Sequence, residues 1–308
     1  FAEITDNGSG SFTIVPKAAK NLYFSVVVSD GCQIVTKNIT FKSENLILNF
    51  TTCTQTGQNG PSQGQCDTEY AGTDLEGNVV VTAGIQTWTV PYTGTYRIEA
   101  DGAMGGGEGY GTPGKGAAIK GSFDLSKGQV LKIAVGQKGE TGGQGGGGGG
   151  GTFIVIEDAP ILIAGGGGGS HNYNQTIGLP GSDGETGTSN PSTGSGYTAG
   201  SGAGFNVDGA NGDYNTQGGK SWANGLVGGT KHTDGYDHWS NGNGGFGGGG
   251  GGCRAPGSGG GYNGGISATC GGGNTPGGGG GGSYNSGDDQ ENTAGANAGH
   301  GKVVIELL

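Results

Sequence analysis

The sequence predicts an all-β protein with almost no α-helix, in which a strand core carries an ordered lattice of polyglycine segments. Three observations lead there. Of 308 residues 81 are Gly. No stretch sustains the 3.6-residue apolar period of a helix. Short runs of β-branched and aromatic residues recur between turn residues such as Asp30-Gly31 and Thr93-Gly94. The first 100 residues hold 10 glycines and the remaining 208 hold 71, so composition shifts near Asp101.

Taken in order, strands are expected over 12–15, 22–28, 33–35, 39–41, 46–50, 79–81, 85–90 and 96–100, then over 117–125, 130–135, 152–156, 161–164 and 302–308. Between the later strands lie pure glycine runs at 145–151, 165–169, 247–252 and 277–282. Such composition usually means disorder, because little apolar area offsets the entropy of ordering the chain. The run lengths argue otherwise: six residues of extended three-fold helix span about 19 Å, the length of an ordinary strand at roughly 17 to 20 Å. Without side chains, neighbouring helices of this kind approach closely enough to share backbone N–H to carbonyl bonds. Collagen is excluded, since the Gly-X-Y period is missing and only 9 residues are Pro. Ordering Gly costs roughly 0.5 to 1 kcal/mol more than ordering Ala, so the lattice must be cooperative and anchored on the strands, with Gly148, Gly249 and Gly280 inside it.

Charge narrows the function classes. With 14 Lys and Arg against 25 Asp and Glu the net charge is -11, which disfavours nucleic acid as a partner. No apolar run reaches the roughly 18 residues of a membrane span. The chain opens at Phe1 without a signal segment and is read as a processed chain or a piece of a longer one.

Several motifs carry a resemblance. Cys53 and Cys66 flank Gly60-Pro61. Gly84-Ile85-Gln86-x-Trp88-x-Val90-Pro91 is followed by Thr93-Gly94-x-Tyr96-x-Ile98-x-Ala100-x-Gly102-Ala103 and Gly105-Gly106. Further on come Leu131-x-Ile133-x-Val135-Gly136-Gln137, Leu162-Ile163-Ala164 running into Gly165, the run ending at Ser283, Thr293-Ala294-Gly295, and Gly301-Lys302-Val303-Val304-Ile305. Residues 50–308 thereby resemble the glycine-rich domain of the anaplastic lymphoma kinase and leukocyte tyrosine kinase receptor ectodomains and of secreted microbial proteins. The resemblance implies a jelly-roll core similar to tumour necrosis factor carrying a hexagonal bundle of polyglycine II helices. The chain lacks the receptors' kinase, membrane span and denser cysteines, so their cytokine binding is not carried over.

Residues 1–49 form the other expected domain. Segments 11–15, 21–30 and 32–41 resemble the last three strands of an immunoglobulin-like sandwich, which normally needs seven. Half a sandwich leaves open edges. Either a neighbouring copy completes it, giving a head-to-tail filament, or its missing strands lie upstream.

Five cysteines suggest an oxidising compartment, with Cys53–Cys66 and Cys253–Cys270 as expected bridges and Cys32 left over. Glycosylation sequons occur at Asn7, Asn38, Asn49 and Asn174. No catalytic or cofactor motif stands out. Gly219-Lys220-Ser221 resembles the end of a phosphate-binding loop but has Tyr214 where the first Gly belongs. His232, Asp234, Asp237 and His238 could offer metal ligands and read better as a loop tip; Asp288, Asp289 and Glu291 read as a solvated turn rather than a calcium loop. No metal and no cofactor are expected. Tyr173, Tyr197, Phe205, Tyr214, Trp222, Tyr236 and Trp239 either stack on sugars or seal the ends of the glycine bundle, and sealing is favoured.

The expected function is that of a non-enzymatic extracellular structural protein, the repeating subunit of a surface filament or adhesive appendage. Its first partner would be itself, with glycans or a surface protein as further ones. The alternative is a ligand-binding ectodomain or secreted receptor-like module that recognises a small protein.

Overall fold

In the computed structural model the described residues are 46–107, 111–142, 144–171, 197–233, 241–270 and 277–308, with the backbone alone at 197, 198 and 270 and in four N-terminal strands. Those are β1 (Ala2–Asp6), β2 (Phe12–Pro16), β3 (Leu22–Ser29) and β4 (Ile34–Phe41). They pair antiparallel as β1 with β2 and β3 with β4; the first of them falls where no strand was expected. There follow β5 (Ile47–Phe50), α1 (Gln63–Glu69), β6 (Val79–Thr82), β7 (Ile85–Thr89), β8 (Gly94–Asp101), β9 (Gly116–Leu125), β10 (Val130–Ala134), β11 (Thr152–Ile156) and β12 (Ala159–Ala164). The chain closes with β13 (Tyr197–Thr198), β14 (Thr269–Cys270), β15 (Tyr284–Asn285), β16 (Asp288–Asn297) and β17 (Lys302–Leu307). The protein is all-β, as the sequence predicts.

Two antiparallel sheets face each other, one of order β16-β9-β8-β17-β5 and one of order β15-β12-β11-β10-β7-β6. Their shared core follows from strand alternation. Leu48, Phe50, Tyr96, Ile98, Ile119, Val303 and Ile305 come from the first sheet, and Trp88, Leu131, Ile133, Ile154 and Leu162 from the second. Phe50 sits edge-on to both Tyr70 and Trp88, at 6.2 and 6.3 Å between ring centres, and Trp88 edge-on to Tyr96 at 6.4 Å. The buried Tyr70 hydroxyl donates to Gln86 Oε1 at 2.6 Å, and Gln86 Nε2 to the Thr51 carbonyl at 2.8 Å. A disulfide joins Cys53 to Cys66, tying the chain after β5 to α1.

Among the described residues α1 is the one α-helix, in keeping with the expectation of almost none. Its local cause is a capping box: Gln65 N–H donates to the Ser62 hydroxyl, and the Ser62 N–H donates to Gln65 Oε1 at 2.8 Å.

The glycine lattice continues the strands of this sandwich. β8 runs on into Gly102, β10 into Val135 and Gly136, and β12 into Gly165; the 145–151 run enters β11, and the 277–282 run leads through Ser283 into β15. Bonding in the 145–151 run repeats every three residues. Gly146 and Gly149 donate to Ser170 and Gly167; Gly147 and Gly150 to Glu140 and Gln137; Gly148 and Gly151 to Gly250 and Gly247. Its carbonyls accept with the same period, from Gly257 and Gly260, from Gly106 and Ala103, and from Gly242 and Gly245. A three-residue repeat is the period of the extended three-fold helix, and bonds to six different segments make this run the axis of a hexagonal arrangement. Antiparallel and parallel neighbours are mixed, since partner numbers fall by three in some pairs and rise by three in others.

Each such bond stabilises by about 0.5 to 1.5 kcal/mol net, close to the extra 0.5 to 1 kcal/mol that ordering each Gly costs. Fixing any residue's backbone costs roughly 1 to 2 kcal/mol besides, so the bonds alone do not order the lattice, which depends on the sandwich. Substitutions should separate the two situations. A Cβ at Gly148 would overlap the Ser258 carbonyl and one at Gly249 the Gly148 carbonyl, whereas nothing lies within 4 Å of a Cβ at Gly64 in α1. Thermal and denaturant melts should show Gly148→Ala and Gly249→Ala losing about 3 kcal/mol or more, while Gly64→Ala gains about 0.5 to 1 kcal/mol. An unchanged Gly148→Ala protein would contradict the lattice.

Candidate functional site at the rim of the lattice

A lattice made of backbone has no interior side chains for recognition, so these gather where its segments turn. The largest group lies over the outer face of β10, β11 and β12. Phe153, Val155 and Ile163 point away from the main core and meet Phe205, Leu226 and Phe246. The Phe205 ring stacks on Trp222 at 5.8 Å and on Phe153 at 6.5 Å. Trp222 opens a 3-10 turn, Trp222–Asn224, which closes on Gly225 in the left-handed region at φ 85°. Phe205 and Trp222 thus seal the sheet.

Beside this seal, Asp208 is knotted to the turn. Its Oδ1 accepts from the Ser221 N–H at 2.9 Å, the Ser221 hydroxyl at 2.8 Å and Asn224 Nδ2 at 2.9 Å, and its Oδ2 accepts from Lys220 Nζ at 3.1 Å. Burial pulls the carboxyl pKa upward, but the hydrogen bonds from Asn224, Ser221 and Lys220 outweigh it and hold the group far below the usual carboxylate range. The Gly-Lys-Ser triplet that resembles a phosphate loop is spent on this carboxylate.

Asp208 also lines a pocket of about 430 Å³ between residues 201–210 and the turn at 262–265. Val207 stands at its edge, 66% exposed, and Ile266, next to the lining residue Gly265, is also exposed. Tyr262 stacks on Tyr284 at 4.8 Å.

The remaining sequence candidates fall as follows. Cys253 is buried beside Ala255, with which its backbone bridges, while Cys32 and the Cys270 side chain lie outside the described residues. Asn49 is exposed on the outer side of β5, two residues before Thr51. Asn7, Asn174 and the Asn38 side chain lie outside the described residues, as do Asp234, Asp237, His238, Tyr173, Tyr236, Trp239 and the Tyr197 side chain. His232 is buried against the Tyr214 ring at 5.2 Å. Asp288, Asp289 and Glu291 belong to the edge strand β16 rather than to a turn, and Glu291 is paired with Arg97 and, at 2.7 Å, with Lys120. Among the described residues no group of three or more His, Cys, Asp or Glu side chains could hold a metal, and no helix is long and apolar enough to cross a membrane.

The fold so defined is an all-β sandwich with a backbone lattice and a side-chain rim. No family model matches the chain. Over 96 residues it is 38% identical to the leukocyte tyrosine kinase receptor of Mus musculus, a stretch amounting to 30% of this chain and 11% of the receptor. The match supports a relation to part of that receptor at most.

Asp208 has a measurable signature. A carboxyl whose pKa is depressed on folding contributes stability above its unfolded value of 3.8 and loses it as pH falls below that toward the folded value. Melting temperature should fall more steeply between pH 5 and pH 2 in the native protein than in Asp208→Asn. At pH 7, Asp208→Ala should cost about 1 to 3 kcal/mol by stranding its donors. Parallel pH profiles for native protein and Asp208→Asn would show that the knot carries no weight.

Proposed function

We propose that the chain is an extracellular ligand-binding module of the receptor-ectodomain kind, with the sandwich and lattice as a rigid platform and the rim as the recognition face for a small secreted protein. The observation that carries it is the 38% identity to a receptor tyrosine kinase over 96 residues. The Cys53–Cys66 disulfide adds support, since such bonds persist in oxidising compartments. So do Val207 and Ile266, apolar side chains left exposed beside the pocket. The filament reading draws on residues 1–49 and gains nothing from this likeness.

Immobilised full chain exposed to the extracellular fluid of its source should capture a small protein saturably. Val207→Asp combined with Ile266→Asp should weaken that capture at least tenfold without lowering the melting temperature. Equal binding by the double variant would remove the rim from the interaction. Concentration-dependent polymers in sedimentation, with no captured partner, would favour head-to-tail assembly instead.

Asn49 is the glycosylation acceptor this reading favours, because its amide is exposed within Asn49-Phe50-Thr51. Protein secreted from eukaryotic cells should lose one glycan's mass in Asn49→Gln, and an unshifted mass would rule the site out.

A further inference from the structure

Every backbone amide from Gly136 to Glu140 is bonded, and one of these bonds differs in kind. Gly136 donates to the Thr152 hydroxyl at 3.0 Å, and Gln137, Gly139 and Glu140 donate to the carbonyls of Phe246, Met104 and Asn243. The Lys138 N–H instead donates to a ring nitrogen, Nδ1 of His300, at 3.1 Å. A side chain that titrates near neutral pH thus stands where the rest of the run uses an oxygen that does not.

That bond is one of four that fasten the turn between β16 and β17 to the lattice. Asn297 Nδ2 donates to the Gly102 carbonyl at 2.7 Å, the Met104 N–H to the Gly299 carbonyl at 2.9 Å, and the Gly301 N–H to the Gly136 carbonyl at 2.8 Å. Asn297 Nδ2 also reaches the His300 carbonyl at 2.7 Å, which holds that residue in place beside Lys138. The turn therefore joins the runs at 102–107 and 136–140 to β17, and the His300 ring closes the junction.

An imidazole accepts a hydrogen bond only while it is neutral; once protonated, both nitrogens are donors. With Nδ1 accepting, the neutral ring carries its proton on Nε2. A second proton would set one N–H against another and remove the bond to Lys138. The surroundings oppose that proton as well: the partly buried ring is held below the usual histidine value of 6.5, first by burial and then by the charge of Lys138. The run at 102–107 brings no charged residue. Glu140 is engaged by the N–H and the side-chain amide of Asn243, while Glu99 and Asp101 are engaged by Lys302. None of these three neighbouring carboxylates is free to hold an imidazolium.

We propose that His300 is a pH-operated latch, which ties the β16–β17 turn to the lattice while its ring is neutral and releases it when the ring is protonated. Histidine is the side chain whose ordinary charge change falls between pH 5 and 8. Linkage gives the sign. Because the latched ring titrates below its unfolded value of 6.5, the released turn takes up the proton more readily, so the latch is closed above pH 6.5 and loosens as pH falls from there toward the folded value. The device goes beyond the binding reading and does not depend on what the rim recognises.

Nitrogen NMR of the full chain should show the His300 ring as the Nε2–H tautomer at pH 7.5 and titrating below 6.5. In hydrogen exchange, protection of the Lys138 and Gly301 amides, corrected for the intrinsic rate at each pH, should fall about tenfold between pH 7.5 and pH 4.5. His300→Asn puts a carbonyl oxygen that does not titrate near the Nδ1 position, and should keep both amides protected at both pH values. His300→Ala should leave them weakly protected at both. Local exchange is the readout because His171, also held below the usual value by burial, affects the melting temperature over the same pH range from its own place beside Gly145. An Nδ1–H tautomer, a ring titrating at or above 6.5, native protection that is constant with pH, or full protection in His300→Ala would each overturn the latch. So would an equal pH response in His300→Asn, which would place the titrating group elsewhere, at His171 or Asp101.

Discussion

Everything distinctive in this protein depends on backbones approaching one another without a Cβ between them. At most lattice glycines, Gly147, Gly148 and Gly168 among them, an added Cβ would fall on a carbonyl of the adjoining segment, so no L-residue could approach as closely. Glycine alone does not choose a register, however, since one run resembles another. The register comes from outside: five lattice segments directly adjoin strands of the sandwich, and the side chains of those strands admit only one alignment. The hydrophobic core thus orders runs of glycine that carry no side chain of their own.

The same constraint decides where chemistry can occur. The interior of the lattice offers only amides and carbonyls, nearly all satisfied by one another. The six-stranded sheet is covered on both sides, by the facing sheet and by Phe205, Trp222, Leu226 and Phe246. The rim differs from both: there Asp208 fixes the 220–224 turn and a pocket opens beside it. Rigid support under exposed loops is a common arrangement for binding surfaces.

Much of the sandwich was legible because its strands alternate or are wholly apolar: 152–156 and 302–308 could be read from residue type alone. The Cys53–Cys66 bridge and the ordered glycine runs were also readable. β16 was not, because Asp288–Asn297 is a polar edge strand, exposed over most of its length and interrupted by register shifts. α1 is too short to show a period, although Ser62 and Gln65 spell its cap. The Asp208 knot was out of reach for a different reason. Its partners lie 12 to 16 residues away across an irregular turn, and neither period nor spacing brings them together.

The three-residue bonding repeat of the 145–151 run sets a rule for change in length. Adding or removing one residue would rotate every later N–H by a third of a turn and aim it at the wrong neighbour, so the bonds beyond that point would be lost together. Only changes in multiples of three keep the phase. Over time the lattice can therefore lengthen or shorten in whole turns while scarcely varying in residue type, leaving the loops between runs as the places free to diverge.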